Sequence, residues 1–231
     1  AGTPVDGLGM PAALTSAARV IAYAVKKYRL KNLKRYPPEQ QAHYRRLYAA
    51  QGPKAILLEA GRKQILAQAL EKLALPGFVD PTVGELKRQA RIGATKNSAM
   101  VPTVLPLQIV VIGQLALVCC PGEFTTTAGQ RVQETVARQL CAKGVRHVLI
   151  CTYCNDYMGY VTTQQEYQEQ AYEGGHTVYG QWTLAAFQTC FAGLANELLK
   201  AEGERRHDRT TRPPPLPAGE LALRTAGAAP E

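Results

Sequence analysis

The chain is poor in the residues from which self-sufficient metal and nucleophile sites are made. Its 231 residues hold only four histidines, His43, His147, His176 and His207. These are scattered, with no HxH or HExxH spacing, so no His pair could make a zinc site alone. No GxSxG, Walker or Rossmann fingerprint occurs, which removes the usual α/β-hydrolase, nucleotide and dinucleotide readings. No apolar run approaches the roughly 18 residues needed to span a bilayer. The first fifteen residues, AGTPVDGLGMPAALT, lack the basic and apolar regions of a signal peptide. Internal repeats are absent.

Acidic charge is also scarce in the first part. Residues 1–100 carry 17 Lys/Arg against 6 Asp/Glu, whereas residues 101–231 carry 10 against 12. The densest basic run is Lys26–Arg35, KKYRLKNLKR. It reads either as an anionic surface contact, a membrane among them, or as a solvated helix end followed by a loop. No nucleic-acid signature accompanies it, so no nucleic-acid partner is expected. The six cysteines form no disulfide framework. Cys151-Thr-Tyr-Cys154 is a CxxC, but it follows a strand and lacks the helix start that activates a thiol. Buried, reduced cysteines are the alternative.

What is present is an apolar content of 46%, enough for a sizeable core. Residues 1–10 read as a loop, Pro11–Leu30 as a helix halted before Pro37-Pro38, and Glu39–Ala50 as a second helix. Pro53–Glu59 reads as a short strand and Lys63–Leu73 as an amphipathic helix. Residues 77–100 look like a connecting segment. Leu107–Ile112 and Leu115–Cys120, separated by Gly113-Gln114, make a hairpin. Thr125–Ala142 is a helix stopped by Gly144, and Arg146–Cys151 is a strand. The fold class is therefore α/β: a mixed β-sheet with flanking helices, including a βαβ unit at 115–152 whose strands run parallel. Thr163 and Glu166 form a capping box that starts another helix, ended by Gly174-Gly175. A last helix spans Gln181–Lys200. Residues 1–203 form the folded part, and residues 204–231 a Pro-rich linker or disordered tail.

In a βαβ unit both strands end at one sheet edge, where ligands collect. Glu123 follows the first strand; Asn155, Asp156, Tyr157 and Tyr160 follow the second. Glu123 could complement the dipole of the helix after it, or act as a metal ligand or general base. Tyr153, Tyr157, Tyr160, Tyr167, Tyr172 and Tyr179 crowd one stretch. They suit either a site for a polar group beside an apolar tail or an aromatic packing layer. His176 is a further candidate ligand at this edge.

Val104–Val118 (VLPLQIVVIGQLALV) followed by Pro121–Thr126 (PGEFTT) resembles the neutral/alkaline ceramidase family. So do Asn155–Thr163 (NDYMGYVTT), Glu166-Tyr167, Tyr172-Glu-Gly174 and Thr177–Gly180. Weaker agreement lies at Pro53–Gly61 and Ala1–Gly7. The resemblance implies a zinc (Zn2+) amidase that cleaves ceramide, N-acylsphingosine, to sphingosine and a fatty acid. It implies Glu123 and Tyr160 as zinc ligands and Tyr172 as the tyrosine that contacts the scissile amide. It also implies a secreted or membrane-associated extracellular protein. The family's zinc-binding histidines and serine motif lie upstream of everything matched. The chain is thus expected to be the C-terminal half of a catalytic domain that needs its N-terminal half. Alone, it is expected neither to hold zinc tightly nor to hydrolyse amides. The alternative is an inactive relative that binds lipid or a partner.

Overall fold

The structure, a computed structural model, describes residues 2–4, 12–69, 72, 81–97 and 99–225. The chain divides into two compact units: Ala1–Thr103 with Pro213–Glu231, and Val104–Arg212. The boundary differs from the expected break at residue 203.

In the first unit, α1 (Ala12–Lys31) and α2 (Pro38–Gln51) appear as the sequence suggests. Pro38 sits at the first helical position, where a missing N–H costs nothing. The antiparallel sheet runs β1 (Gly2–Pro4), β2 (Ile56–Glu59), β3 (Gln64–Ile65), β4 (Gln68–Ala69). Two expectations fail here. Gly2–Pro4 is an edge strand paired with β2 rather than loop, while residues 5–11 lie outside the described residues. Lys63–Leu73 is not a helix over its described part. Leu66 and Ala67 take left-handed backbone (φ 45° and 70°), turning the chain into a hairpin that buries Ile65 opposite Leu58. Its end at Leu73 lies outside the described residues.

The segment expected as a connector contains α3 (Pro81–Arg91). Its Ala90 and Leu86 pack with Ala18, Ala22, Leu57 and Leu58, so burial imposes a helix on a weakly patterned stretch. The expected tail contains α8 (Ala218–Thr225). Glu220 of α8 is buried, and its carboxylate accepts a hydrogen bond from the Asn97 backbone N–H at 2.6 Å.

The second unit is the βαβ unit with additions. β5 (Gln108–Ile112) and β6 (Leu115–Cys119) form the hairpin, with Gly113 at φ 58° in its turn. β6 pairs in parallel with β8 (His147–Cys151), joined through α4 (Thr126–Leu140). Thr125 caps α4 by accepting from the Ala128 N–H. Ala128, Val132, Val136 and Leu140 are fully buried against Ala116, Val118 and Val148. α7 (Thr183–Leu199) adds Leu184, Phe187, Phe191 and Ala195 to this core. The other sheet face leaves Leu149 52% exposed.

The capping box at Thr163–Glu166 starts α5 (Gln164–Glu169) as expected. That helix ends at Gln170 in left-handed conformation, not at the glycine pair. Gly174 and Gly175 lie inside a separate short helix, α6 (Tyr172–His176). A Cβ on Gly174 would stand 2.8 Å from the Glu166 carbonyl oxygen, so this glycine permits close packing of α6 on α5 rather than a helix stop.

A parallel tyrosine and glutamate ladder lines the candidate active site

The site grows from the way the chain leaves the two parallel strands. Cys120 N–H donates to the Cys151 carbonyl at 2.8 Å, prolonging the β6–β8 ladder by one bond. The turn after β8 then folds back on Pro121-Gly122. Cys154 N–H reaches the Cys120 carbonyl at 3.0 Å, Met158 N–H the Pro121 carbonyl at 2.9 Å, and Glu123 N–H the Gly159 carbonyl at 3.0 Å. Two glycines make this approach feasible. A Cβ on Gly122 would lie 2.6 Å from the Gly159 oxygen, and Gly159 itself has φ 90°.

The stitching creates a second parallel pair, β7 (Glu123–Phe124) with β9 (Tyr160–Val161). Glu123 is the register partner of Tyr160, and Phe124 of Val161. Parallel neighbours in register present side chains to the same face. Val161 is buried in the core, and Phe124 packs edge-on to Phe187 at 5.1 Å, which anchors the pair.

Glu123 is a hydrogen-bond acceptor for a group of phenols. Tyr157 Oη donates to its Oε1 at 2.5 Å. The Tyr157, Tyr160 and Tyr153 hydroxyls, in that order of strength, hold its carboxyl below the usual carboxylate range. The same bond to the carboxylate pushes Tyr157 up to about 12 and raises Tyr160 further. Tyr153 and Tyr157 stack nearly parallel, with centroids 6.0 Å apart.

Tyr172 opens α6 and is 63% exposed. Its ring meets Tyr160 edge-on at 5.5 Å and lies 4.4 Å from His176. His176 Nδ1 is 2.6 Å from the Tyr172 carbonyl oxygen. A carbonyl only accepts, so Nδ1 is the donor in this contact.

Part of this group borders a cleft of about 570 Å³, lined among others by Glu123, Thr125, Tyr153, Tyr160, Glu166 and Glu173. Its far wall is braced by Glu166. One oxygen of that carboxylate accepts from the Thr163 N–H and hydroxyl and from the Thr125 hydroxyl, at 2.8–2.9 Å. Burial works against its ionisation, but these bonds prevail and hold its carboxyl below the ordinary value. The bond ties the caps of α4 and α5 together.

Of the residues singled out from sequence, Glu123, Tyr157, Tyr160, Tyr172 and His176 are brought together. Asp156 instead accepts from the Tyr157 N–H, Asn155 turns to Gln108, and Tyr167 is wholly buried. The β7–β9 ladder and the Thr125–Glu166 brace were not foreseen. The paired Gly122 and Gly159, each one residue before a site residue, were the available signal for the ladder. Among the described residues, no group of three or more His, Cys, Asp and Glu converges in a metal-holding arrangement.

Residues 87–189 match the family described as neutral/alkaline non-lysosomal ceramidase, N-terminal. They belong to the neutral/alkaline ceramidase family. The neutral ceramidase of Pseudomonas aeruginosa is 42% identical over 148 residues, covering 62% of this chain and 22% of that protein. Neutral ceramidase A of Dictyostelium discoideum is 44% identical over 110 residues, 47% of this chain and 15% of that protein. A solved structure described as ceramidase complexed with C2 aligns with a TM-score of 0.55 and 32% identity, over 78% of this chain and 22% of its own. The mixed α/β ceramidase fold expected from the sequence is thus the one observed. The chain spans about a fifth of the length of these ceramidase relatives.

Proposed function

We propose that the chain supplies one wall of the site of a zinc-dependent amide hydrolase acting on ceramide, releasing sphingosine and a fatty acid. The family membership supports the substrate class. The observation that carries the chemistry is the Glu123–Tyr160 register pair, which lines the cleft, with Tyr172 packed on Tyr160.

The donor set fits part of a zinc shell. Zinc accepts carboxylate oxygen, and two side chains in register on adjacent parallel strands can both reach one cation. Glu123 and Tyr160 would hold it, and the further ligands would come from outside the described residues. Bound zinc supplies Lewis acidity, polarising a carbonyl or lowering the pKa of water. Tyr160 would ligate through a lone pair of its phenol oxygen, which the neutral hydroxyl already carries. Tyr157 fixes the rotamer of Glu123. Tyr172, exposed and held edge-on by Tyr160, donates its hydroxyl hydrogen bond to the amide oxygen as negative charge develops there. Phe124, Ala171 and Gly174 give the cleft apolar wall for a hydrocarbon neighbour of the amide.

A second reading, lipid or partner binding without hydrolysis, is favoured by α1. Val20, Ile21 and Tyr28 are exposed on it, beside exposed Lys27 and Lys31, and it has no acidic residue. That combination suits an anionic membrane surface. A secreted or membrane-associated extracellular setting is proposed from the family resemblance alone.

The reading is tested in a hybrid, with residues 87–189 replacing the matching segment of the Pseudomonas aeruginosa neutral ceramidase. The hybrid is expected to release fatty acid from ceramide, and Tyr172→Phe to lower kcat by at least about a hundredfold with little change in KM. A folded hybrid in which Tyr172→Phe leaves kcat intact contradicts the assigned role.

A further inference from the structure

Glu166 is fastened to the site by one carboxylate oxygen and leaves the other unused. Oε2 accepts from the Thr163 N–H at 2.8 Å, the Thr163 hydroxyl at 2.9 Å and the Thr125 hydroxyl at 2.8 Å. Thr125 follows β7 directly, and Thr163 lies just past β9. The Thr125 N–H also donates to the Val161 carbonyl at 3.0 Å. The carboxylate is thereby fixed to both of the short strands that carry Glu123 and Tyr160. Oε1 accepts from none of the described residues, and it is not sealed from solvent. Since Glu166 lines the cleft, that oxygen is the part of it left for an occupant.

Given the ceramide reading above, on which this assignment rests, we propose that Glu166 Oε1 accepts a hydrogen bond from a hydroxyl of the sphingoid half of the substrate. Glu166 is then a specificity-determining residue of the cleft as well as its brace.

The charge state selects the kind of partner. Burial opposes ionisation of Glu166, but the Thr163 backbone and the two threonine hydroxyls prevail and hold its carboxyl below the ordinary value. At neutral pH it is an anion that can only accept, so its partner must donate. Glu123, Glu166, Glu169 and Glu173 line the cleft with no Lys or Arg among the described lining, which disfavours a fatty-acid carboxylate on this side. Position then separates the donors that ceramide offers. Thr125 stands two residues beyond Glu123, about 7 Å at the usual strand rise. An amide whose oxygen sits at the Glu123–Tyr160 pair keeps its N–H beside that pair. The hydroxyls, a few bonds further along the sphingoid base, extend toward Glu166. Three hydrogen bonds on Oε2 hold the carboxylate in place before substrate arrives, so little side-chain freedom is lost on binding.

The test gives the Pseudomonas aeruginosa hybrid ceramide and two analogues, each lacking one hydroxyl of the sphingoid base. For at least one analogue, kcat/KM of the unaltered hybrid is expected to fall about ten- to a hundredfold, the worth of one charge-assisted hydrogen bond. Glu166→Gln keeps an oxygen for the threonine donors and turns an NH2 toward the cleft. It should lower kcat/KM on ceramide and shrink the preference over that analogue several-fold. A merely structural brace would lose equally on all three substrates, and that result overturns the assignment. So does an undiminished preference in Glu166→Gln, or an unaltered hybrid indifferent to both hydroxyls. A folded, unaltered hybrid that releases fatty acid from none of the three overturns the ceramide reading itself, and the hydroxyl contact with it.

Discussion

Glu123 and Tyr160 stand opposite one another on two parallel two-residue strands, 37 positions apart in the chain. That pairing is set by backbone contacts, so it should be sensitive to backbone volume rather than to the side chains alone.

Gly122→Ala is therefore expected to damage the site. The new Cβ would meet the Gly159 carbonyl at 2.6 Å, and the obstacle is backbone that cannot rotate away. A loss of about 1–3 kcal/mol is expected, as for other overpacked positions. Gly129→Ala is the control. It lies within α4 with nothing inside 4 Å of its new Cβ, and should raise stability by about 0.5–1 kcal/mol. Chemical denaturation of both variants checks the contrast.

Glu166 joins two helix caps, so Glu166→Ala should cost about 1–2 kcal/mol, more than an isolated cap residue of one helix. Glu166→Gln should cost less, since an amide oxygen still accepts. The folded carboxyl titrates below its unfolded value. Its contribution is thus complete above the ordinary carboxylate pKa and fades as pH falls through the lowered one. Denaturation of wild type and Glu166→Gln down an acid series should converge.

Lys54 is 1% exposed, and burial pushes its ammonium down to about 7. Between pH 7 and the unfolded value of 10.5 the unfolded chain binds the extra proton, so stability rises with pH across that window. The rise is limited to about 1.4 kcal/mol per pH unit for one group. Cys120 opposes it above pH 9, because its folded thiol is pushed up to about 12. The comparison is therefore cleanest from pH 7 to 9. Lys54→Met should flatten the slope there and gain stability at pH 7; an unchanged slope would show that Lys54 is charged when folded.

The outward face of α1 is expected to bind vesicles containing phosphatidylserine and to release them as salt rises. Lys27→Glu with Lys31→Glu should abolish sedimentation with such vesicles while leaving the denaturation midpoint within about 0.5 kcal/mol of wild type. Equal binding to neutral vesicles would remove the electrostatic part of the reading.

Much of this arrangement could be read from the chain because strong periodicity and punctuation agree in it. The α4 stripe, the Gly113 turn and the Thr163–Glu166 box each combine a local signal with the burial that the fold then imposes. The failures have a common cause. At Gln64–Ala69 and Pro81–Arg91 the local pattern was weak or misleading, and packing against β2 and its cluster decided the outcome. The site was legible as a gathering of Glu123 with tyrosines, since a βαβ unit forces its strand ends together. The β7–β9 register was not, because two-residue strands have no periodicity to read. The left-handed reversal at Tyr153 and Asn155 was hidden for a similar reason: it leaves little trace in residue types.

The central claim is that Glu123 and Tyr160 are two ligands of one zinc ion. Two oxygens bind zinc weakly, so calorimetric titration of the chain alone should show low affinity, and the decisive measurement belongs in the ceramidase hybrid. Zinc content per hybrid molecule, measured after dialysis against a weak chelator, should approach one for the unaltered hybrid and fall well below it in both Glu123→Ala and Tyr160→Phe. Full zinc content in a folded Glu123→Ala hybrid would contradict the account.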